Sequence, residues 1–354
     1  MSELRGDLRP VFPFVAFVNQ EQLKLALLLN AINPRIGGVL IRGAKGTGKS
    51  TLVRALVDLL PEYDAVKDCP FGCKPYDFTN MCEACRSTVA KNETLSIERR
   101  KMRVVDLPIG ATDDRVVGTL DIEKAIKEGV KALEIGILAD ANQNILYVDE
   151  INLLPDHIVD IILDVAASGW NVMEREGISV QHPSRFVFVG TMNPEEGELR
   201  PQLLDRMALH TEVSTIFDKD LRVEIMKANM EFEEDPIAFR RRCDTAQKEM
   251  RDRILAAKRL LPQVAMPDHL FEAIARMCIA LQVDGHRPDI IIVKTAKTLA
   301  AYNNRGEVSP EDVFTSSLLT LSHRTRNLGM DAPAMASEIE SEFRRGLSET
   351  EGGS

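Results

Sequence analysis

Residues 38–51 read GVLIRGAKGTGKST, and this stretch sets the fold of the chain. The apolar run 38–41 predicts a buried strand, and the helical spacing of 49–60, which ends at Pro61, predicts the helix that follows it. Between them, GAKGTGKS at 43–50 matches the pattern G-x-x-x-x-G-K-[ST]. Its glycines allow backbone N–H groups to turn inward, and the helix N-terminus adds a partial positive charge. The segment therefore predicts a phosphate-binding loop.

The residues of this loop have distinct expected roles toward a nucleoside triphosphate. Lys49 would reach the β- and γ-phosphates, and the Ser50 hydroxyl would bind Mg²⁺. A chance match in a glycine-rich turn is the alternative, and the strand and helix on either side argue against it. The predicted nucleotide-binding residues of this segment are Gly43, Gly46, Thr47, Gly48, Lys49, Ser50 and Thr51.

A second apolar strand, ILYV at 145–148, ends in the carboxylates of Asp149 and Glu150. Unpaired burial of carboxylates costs free energy, so two acids at a strand end indicate a function. Asp149 is expected to hold Mg²⁺ through its water shell, and Glu150 to polarise the attacking water. A solvated acidic turn is the alternative. Because a phosphate-binding loop precedes this strand, the pair favours hydrolysis over binding alone.

A third strand ends in VFVGTMNP at 187–194. Its Thr191 and Asn193 could contact the γ-phosphate or the attacking water, although Asn-Pro alone indicates only a turn. Arg206 follows shortly afterwards, and Arg287 opens a helix much later in the chain. Either arginine alone is typical of a surface ion pair. With the earlier motifs they fit two arginines that converge on a γ-phosphate, Arg206 from a neighbouring subunit and Arg287 from the chain's own helical lid.

The order of predicted elements gives an α/β domain followed by an all-helical domain. Strands alternate with helices up to residue 217, which indicates a parallel sheet. Five helical segments without a comparable strand follow. The predicted division is 1–217 for the α/β core, 218–330 for the helical lid and 331–354 for a partly disordered tail. Within the core we expect a cysteine-containing loop at 62–102 and an insertion at 103–143, with helical spacing at 121–141.

Composition narrows the class of protein without identifying its chemistry. The 354 residues carry 44 basic and 54 acidic side chains, a net charge of −10, which disfavours non-specific binding to nucleic acid. The apolar runs are shorter than the roughly 20 residues that a membrane helix needs. The N-terminus lacks the pattern of a secretory signal, and six cysteines in such a chain favour a reducing compartment. We therefore expect a cytoplasmic protein without a membrane span.

Four of the six cysteines form a cluster, Cys69, Cys73, Cys82 and Cys85. Four thiolates within one short segment suit tetrahedral Zn²⁺, which could replace a missing hydrophobic core there. An iron–sulfur cluster, a redox-switched pair and four free thiols are the alternatives. The segment is thus a candidate structural zinc site.

Three stretches carry a resemblance to a known family: 25–51, 104–154 and 190–206. The second begins VVDLPIGATDDRVVGTLD, and the third reads GTMNPEEGELRPQLLDR. In this order they resemble the AAA+ ATPases and, among them, the ATPase (I) subunits of magnesium chelatase. The likeness extends from about residue 14 to residue 326. It implies an AAA+ core of α/β type with a C-terminal helical lid, and ATP with Mg²⁺ as cofactors.

The resemblance also implies an assembly and a set of roles. Such proteins form rings, usually hexamers, with ATP between subunits. Asn193 corresponds to sensor 1, Arg206 to an arginine finger acting in trans and Arg287 to sensor 2; an insertion is implied at 111–142 and a hairpin at 172–186. The family acts with a related D subunit, and its ATP hydrolysis drives a separate large subunit that inserts the metal into a tetrapyrrole.

The sequence departs from the family pattern at a few positions near the predicted site: Asn19, Met192, Met207, Ala208 and Pro288. They suggest a member outside the photosynthetic group, with a cobalt or nickel chelatase as the alternative partner.

Two other functions stay open. One is a MoxR-like AAA+ chaperone for metalloenzyme or metal-cofactor assembly. The other is a nucleic-acid motor, which would need basic pore loops. The lysines of the insertion are balanced by acids, and this disfavours the nucleic-acid motor. The lysines are Lys124, Lys127 and Lys131, and the acids are Asp121, Glu123, Glu128 and Glu134.

Overall fold

The computed structural model describes residues 10–120, 133–175, 178–324, 326 and 331–351. Its strands are β1 (Val39–Gly43), β2 (Tyr63–Val66), β3 (Ile97–Arg100), β4 (Val104–Leu107), β5 (Gly118–Leu120), β6 (Leu133–Ile135), β7 (Ile145–Val148), β8 (Trp170–Arg175), β9 (Ile178–Pro183), β10 (Val187–Met192) and β11 (Leu209–Val213). Its helices are α1 (Glu21–Ile32), α2 (Lys49–Leu56), α3 (Glu83–Ala90), α4 (Asp113–Val117), α5 (Ile137–Asp140), α6 (Asp156–Ser168), α7 (Pro201–Leu204), α8 (Lys219–Glu234), α9 (Pro236–Leu260), α10 (Asp268–Ala280), α11 (Arg287–Tyr302), α12 (Pro310–Leu321) and α13 (Ala336–Glu351).

Five strands form one fully parallel sheet in the order β11-β1-β10-β7-β4. In β1, Ile41 pairs with Thr191 of β10 on one side and with Thr211 of β11 on the other. Every residue of β7 and β10 is buried. Strands of a parallel sheet are covered on both faces, which explains why these segments are almost continuous apolar runs. The parallel sheet predicted from the sequence is confirmed.

The parallel arrangement gives the sheet two chemically different edges. Segments that follow β1, β7 and β10 meet at what we name the carboxyl edge. Segments that precede β1 and β11 meet at the opposite amino edge, where the Leu209 N–H donates to the Gly38 carbonyl at 3.0 Å. The predicted phosphate-binding loop and acidic pair therefore lie at the carboxyl edge.

The helical domain is docked on the amino edge of the sheet. The Arg324 guanidinium, just beyond α12, donates to the carbonyl of Met207 at 2.8 Å, immediately before β11. The Lys294 ammonium of α11 donates to the Arg35 carbonyl at 3.0 Å, shortly before β1. Helices α1, α10, α11 and α12 contribute to one buried apolar cluster with β1 and β11. The helical lid and the α/β domain thus share one hydrophobic core at this edge.

Two histidines lie within the contact between the core and the lid. The rings of His210 on β11 and His323 after α12 are 5.1 Å apart and both side chains are buried. Burial lowers the pKa of His210 to about 4 and that of His323 well below its ordinary value. Both imidazoles are therefore neutral at pH 7 and act as packing residues.

The segment 62–102 is more ordered than a loop. It contains the antiparallel pair β2–β3 and the helix α3. A small apolar cluster includes all four cysteines together with Val66, Phe71, Met81 and Ala139. We name residues 62–102 the cysteine module. Its local core explains why so polar a segment folds.

Three further segments differ from the pattern predicted by the sequence. Val104–Leu107, assigned from the sequence to the insertion at 103–143, forms β4 of the central sheet, where it pairs with β7. Residues 133–135, within the stretch predicted to be helical, form β6, which pairs with β5; the lysines of the insertion lie outside the described residues. Residues 336–351, assigned from the sequence to a partly disordered tail, form α13. Its Ile339 and Phe343 are buried in the apolar core of the lid. Among the described residues, no helix is both long enough and apolar enough to cross a membrane.

Candidate active site at the carboxyl edge

The phosphate-binding loop connects β1 to α2 in the conformation that its glycines allow. Gly46 and Gly48 both have φ of +81°, in the left-handed region where residues with a Cβ are strained. The Thr47 hydroxyl donates to the Ala44 carbonyl at 3.0 Å, and the Gln20 side-chain amide donates to the Thr47 carbonyl at 3.1 Å. Lys49, Ser50 and Thr51 form the first turn of α2. The loop is therefore held at a helix N-terminus, as phosphate binding requires.

The Lys49 ammonium lies over the loop and faces the acidic pair. It donates to the carbonyls of Gly43 and Ala44, the latter at 3.0 Å. Burial lowers its pKa, while the charges of Asp149 and Glu150 act in the opposite direction. Lys49 thus places a positive charge between the loop and the two carboxylates.

Asp149 and Glu150 leave β7 at the same edge. One oxygen of Asp149, Oδ1, accepts hydrogen bonds from the Tyr147 hydroxyl at 2.9 Å and the Thr191 hydroxyl at 2.6 Å. Glu150 has φ of +53°, and its N–H donates to the Thr191 hydroxyl at 3.1 Å. Its carboxylate lies 3.7 Å from the ammonium of Lys45 in the loop. The acidic pair and the loop together form one site.

Asn193 completes the carboxyl edge after β10. Its side chain is buried, and its oxygen accepts from the N–H of Glu195 at 3.3 Å. The Asn152 amide, after β7, donates to the Gly197 carbonyl at 3.1 Å and so ties the two adjoining loops together. Lys49, the acidic pair and Asn193 therefore lie along the same edge, as the sequence predicts.

Arg206 lies at the amino edge, because it immediately precedes β11. Its guanidinium forms ion pairs with Asp160, at 2.5 Å, and with Asp164. These two acids are one helical turn apart on α6. Arg206 of a chain is thus on the side of the sheet away from that chain's own phosphate-binding loop.

Arg287 lies beside Arg206, at the start of α11. Burial lowers the pKa of Arg287, and the adjacent positive charge of Arg206 lowers it further, whereas Asp164 acts in the opposite direction. The structure does not bring Arg287 to the phosphate-binding loop of its own chain, where the sequence led us to expect it, and its role toward a nucleotide stays a prediction. The physical reason is the docking of the lid on the amino edge, which carries the start of α11 away from the loop.

The four clustered cysteines come together as their spacing suggests. All four are buried, and their sulfur atoms all lie within 4.8 Å of one another. The Cys69 and Cys82 sulfurs are 3.9 Å apart, and the Cys82 N–H donates to the Cys73 sulfur at 3.2 Å. Hydrogen bonds from Cys73 and Cys82 lower the pKa of the Cys69 thiol. The arrangement suits a cation that binds thiolates.

The cysteine module contacts both strands of the β8–β9 hairpin, which corresponds to the hairpin implied at 172–186. Phe71, between two cysteines of the cluster, stacks on His182 of β9 with ring centroids 4.5 Å apart. The guanidinium of Arg86, next to Cys85, lies 5.9 Å from the centre of the Trp170 ring at the start of β8. The module therefore packs against the hairpin and helps to hold it.

Sequence reasoning missed part of the network around the acidic pair. Thr191 was expected to contact phosphate or water, but it is hydrogen-bonded to Asp149 and Glu150 instead. Tyr147 was not identified at all. A signal was present, since residues i and i+2 of a strand share a face and Tyr147 is two residues before Asp149.

Comparison with known proteins agrees with the fold. The family model described as an AAA lid domain matches residues 271–343. A parallel sheet with a phosphate-binding loop, an acidic pair and this lid defines the class, and the chain is an AAA+ ATPase.

The relatives narrow the class to a family. The magnesium-chelatase subunit ChlI homolog of Methanocaldococcus jannaschii is 55% identical over 93% of this chain and 89% of its own length. The magnesium-chelatase subunit ChlI of Synechocystis is 51% identical over 95% of this chain and 94% of its own. A solved structure of the complex between subunits BchI and BchD of magnesium chelatase aligns at 44% identity, with a TM-score of 0.54, over 95% of this chain and 100% of that one. The chain belongs to the magnesium-chelatase subunit ChlI family.

Proposed function

We propose that this chain is the ATP-hydrolysing motor subunit of a magnesium-chelatase-type complex. The proposal is supported by one observation above all. The carboxyl edge holds Lys49, Asp149, Glu150 and Asn193, while the amino edge holds two adjacent arginines. One chain cannot bring both sets to the same nucleotide, whereas a second copy placed head to tail can. The functional unit is therefore a ring, a hexamer by resemblance, with ATP between subunits.

The residues of one subunit bind and orient ATP. The backbone N–H groups of residues 44–49 and the Lys49 ammonium hold the β- and γ-phosphates, and Ser50 and Asp149 hold the Mg²⁺ that neutralises phosphate charge. Glu150 lies beside the loop, where its carboxylate can accept a proton from the attacking water. Asn193 orients that water or the γ-phosphate from the neighbouring strand.

The residues of the adjacent subunit complete the site. Arg206 and Arg287 lie side by side, so together they present two positive charges to the γ-phosphate of the neighbour's ATP. Asp160 and Asp164 hold Arg206 in place until that phosphate competes for it. We assign Arg206 as the arginine finger and Arg287 as a second sensor that acts in trans, in place of the cis role expected from the sequence.

ATP hydrolysis in the ring is proposed to drive a separate large subunit that inserts a metal into a tetrapyrrole, with a D-type AAA+ subunit as the second partner. The solved complex of BchI with BchD supports the D-type partner. No disulfide bond joins any of the six cysteines, and this supports a reducing, cytoplasmic location.

Reconstitution tests the proposed function. The purified chain is combined with a D-type subunit and a large chelatase subunit from the same organism, and porphyrin absorption is followed with Mg²⁺, Co²⁺ or Ni²⁺ present. We expect insertion of one metal that requires this chain and hydrolysable ATP. A reaction that proceeds equally well without this chain would rule out the motor role, and the inserted metal identifies the type of chelatase.

A structural Zn²⁺ in the cysteine module is also proposed. Tetrahedral zinc with Zn–S distances of about 2.3 Å places its sulfur ligands about 3.8 Å apart. The Cys69 and Cys82 sulfurs, 3.9 Å apart, already have this spacing. Zinc would join the segment that carries Cys69 and Cys73 to the segment that carries Cys82 and Cys85, and so hold Phe71 against the hairpin.

Elemental analysis of protein prepared without chelators is expected to find about one zinc per chain. Cys85→Ser should remove most of it and increase hydrogen exchange in residues 170–183, because the module no longer supports the hairpin. Cys243→Ser, on the partly exposed face of α9, is the control and should retain the metal. Iron with visible absorption, or no stoichiometric metal, would contradict the assignment.

A further inference from the structure

The Thr191 hydroxyl contacts both members of the acidic pair at once. It donates to Asp149 Oδ1 at 2.6 Å and accepts from the Glu150 N–H at 3.1 Å. Thr191 is buried on β10, between β1 and β7 in the sheet. A hydroxyl is the side-chain group that can both donate and accept through one atom in so small a volume. Valine would keep the shape and lose both bonds.

The bond to Asp149 fixes the orientation of a carboxylate that otherwise rotates easily. Asp149 Oδ1 also accepts from the Tyr147 hydroxyl at 2.9 Å, so two donors hold the same oxygen. The second carboxylate oxygen, Oδ2, is left for the water shell of Mg²⁺.

The bond to Glu150 supports a strained backbone. Glu150 has φ of +53°, a left-handed conformation that is strained for a residue with a Cβ. This conformation turns the chain sharply after Asp149, so the side chains of Asp149 and Glu150 point in different directions. The hydrogen bond from its N–H to Thr191 helps to offset the strain.

We propose that Thr191 is a positioning residue for ATP hydrolysis, which sets the carboxylate of Asp149 for Mg²⁺ and the backbone of Glu150 for the attacking water. The inference rests on the proposed function, since it takes Asp149 and Glu150 as the groups that act on MgATP. Thr191 does not touch the nucleotide; it acts through these two acids.

The sheet offers a matched control. Thr211 of β11 pairs with the same residue, Ile41, from the other side of β1, and it is equally buried. Its hydroxyl has no hydrogen-bond partner within the part of the chain that the structure describes. A Thr211→Val variant therefore makes the same change in the sheet without touching the acidic pair.

The test compares three variants of the full chain: Thr191→Val, Thr191→Ser and Thr211→Val. For each we would measure kcat and KM for MgATP, the Mg²⁺ concentration that gives half-maximal ATPase activity, and the Kd for ADP without Mg²⁺. For Thr191→Val we expect kcat to fall by about tenfold or more and the Mg²⁺ requirement to rise several-fold, with the ADP Kd nearly unchanged. Thr191→Ser should restore most of the activity, and Thr211→Val should stay within about twofold of wild type.

Equal effects of the two valine substitutions, or a failure of serine to restore activity, would overturn the inference. Should Thr191→Val not fold, Tyr147→Phe gives the second reading: it removes the other donor to Asp149 and should raise the Mg²⁺ requirement, and an unchanged requirement would refute the network. Glu150→Gln separates the two proposals. Normal turnover by that variant contradicts the proposed site, whereas an inactive Glu150→Gln beside a normal Thr191→Val contradicts only the role of Thr191.

Discussion

Glu150→Gln is expected to lower ATP turnover by about 10²–10⁴-fold while MgATP still binds, because general-base catalysis contributes in this range. Glutamine has nearly the same shape and can still face Lys45, which lies 3.7 Å from the Glu150 carboxylate. It cannot accept a proton from the attacking water. The variant should therefore accumulate as an ATP-bound ring, which steady-state ATPase assays, nucleotide binding and native mass spectrometry can measure together.

The control for this substitution is Glu224→Gln, which makes the same chemical change on the exposed surface of α8. It should leave turnover unchanged. If Glu150→Gln hydrolysed ATP at the wild-type rate, Glu150 could not be the base. Loss of MgATP binding in this variant would show instead that Glu150 holds the nucleotide.

Arg206→Ala and Arg287→Ala are each expected to reduce ATPase activity by about 10³-fold or more, since an arginine finger supplies charge stabilisation of this size. Each should recover activity when mixed with Lys49→Ala, which is inactive alone. In rings assembled at random from equal amounts, about a quarter of the interfaces join an intact loop to an intact pair of arginines. ATPase measurements with co-assembly verified by fluorescence transfer test this directly.

A mixture of Arg206→Ala with Arg287→Ala distinguishes the two placements of Arg287. The structure puts both arginines side by side at the amino edge, and in the proposed ring both then face the same neighbour, so every interface in that mixture lacks one of them and no activity should return. If Arg287 acted on its own chain's ATP, about a quarter of the interfaces would be complete. Recovery in this mixture would therefore contradict the trans role of Arg287.

Three of the five strands of the central sheet, β1, β7 and β10, could be predicted because each is a short apolar run next to a recognisable motif. The strands β4 and β11 were missed, since Asp106 in β4 and Glu212 in β11 interrupt the apolar run. The helices of the lid could be predicted from their spacing and from signals such as Ser309, whose side chain caps α12 in a capping box. The strand β6 could not, because Leu133–Ile135 is only three residues long and pairs with β5 across the insertion. Pairing of distant segments overrides local helical spacing in such a stretch.

In the candidate site too, the local sequence predicts the positions of some residues, whereas contacts between distant residues determine the position of others. Lys49, Asp149 and Asn193 follow strands, so the parallel sheet alone places them at one edge. The position of Arg287 depends on which edge receives the lid, and that depends on contacts such as Lys294 with Arg35, 259 residues apart. Nothing in the local sequence around Arg287 specifies this docking. The cysteine cluster was predictable because its four members are close in sequence.

The separation of the site between two edges of the sheet has a consequence for how activity depends on concentration. A head-to-tail contact is heterologous, so each added subunit creates one catalytic interface. An open arc always has one interface fewer than subunits, and an isolated chain has none. In the proposed ring, specific activity should thus rise most steeply when two chains first meet, gain less with each further subunit, and reach its maximum only when the last subunit closes the ring.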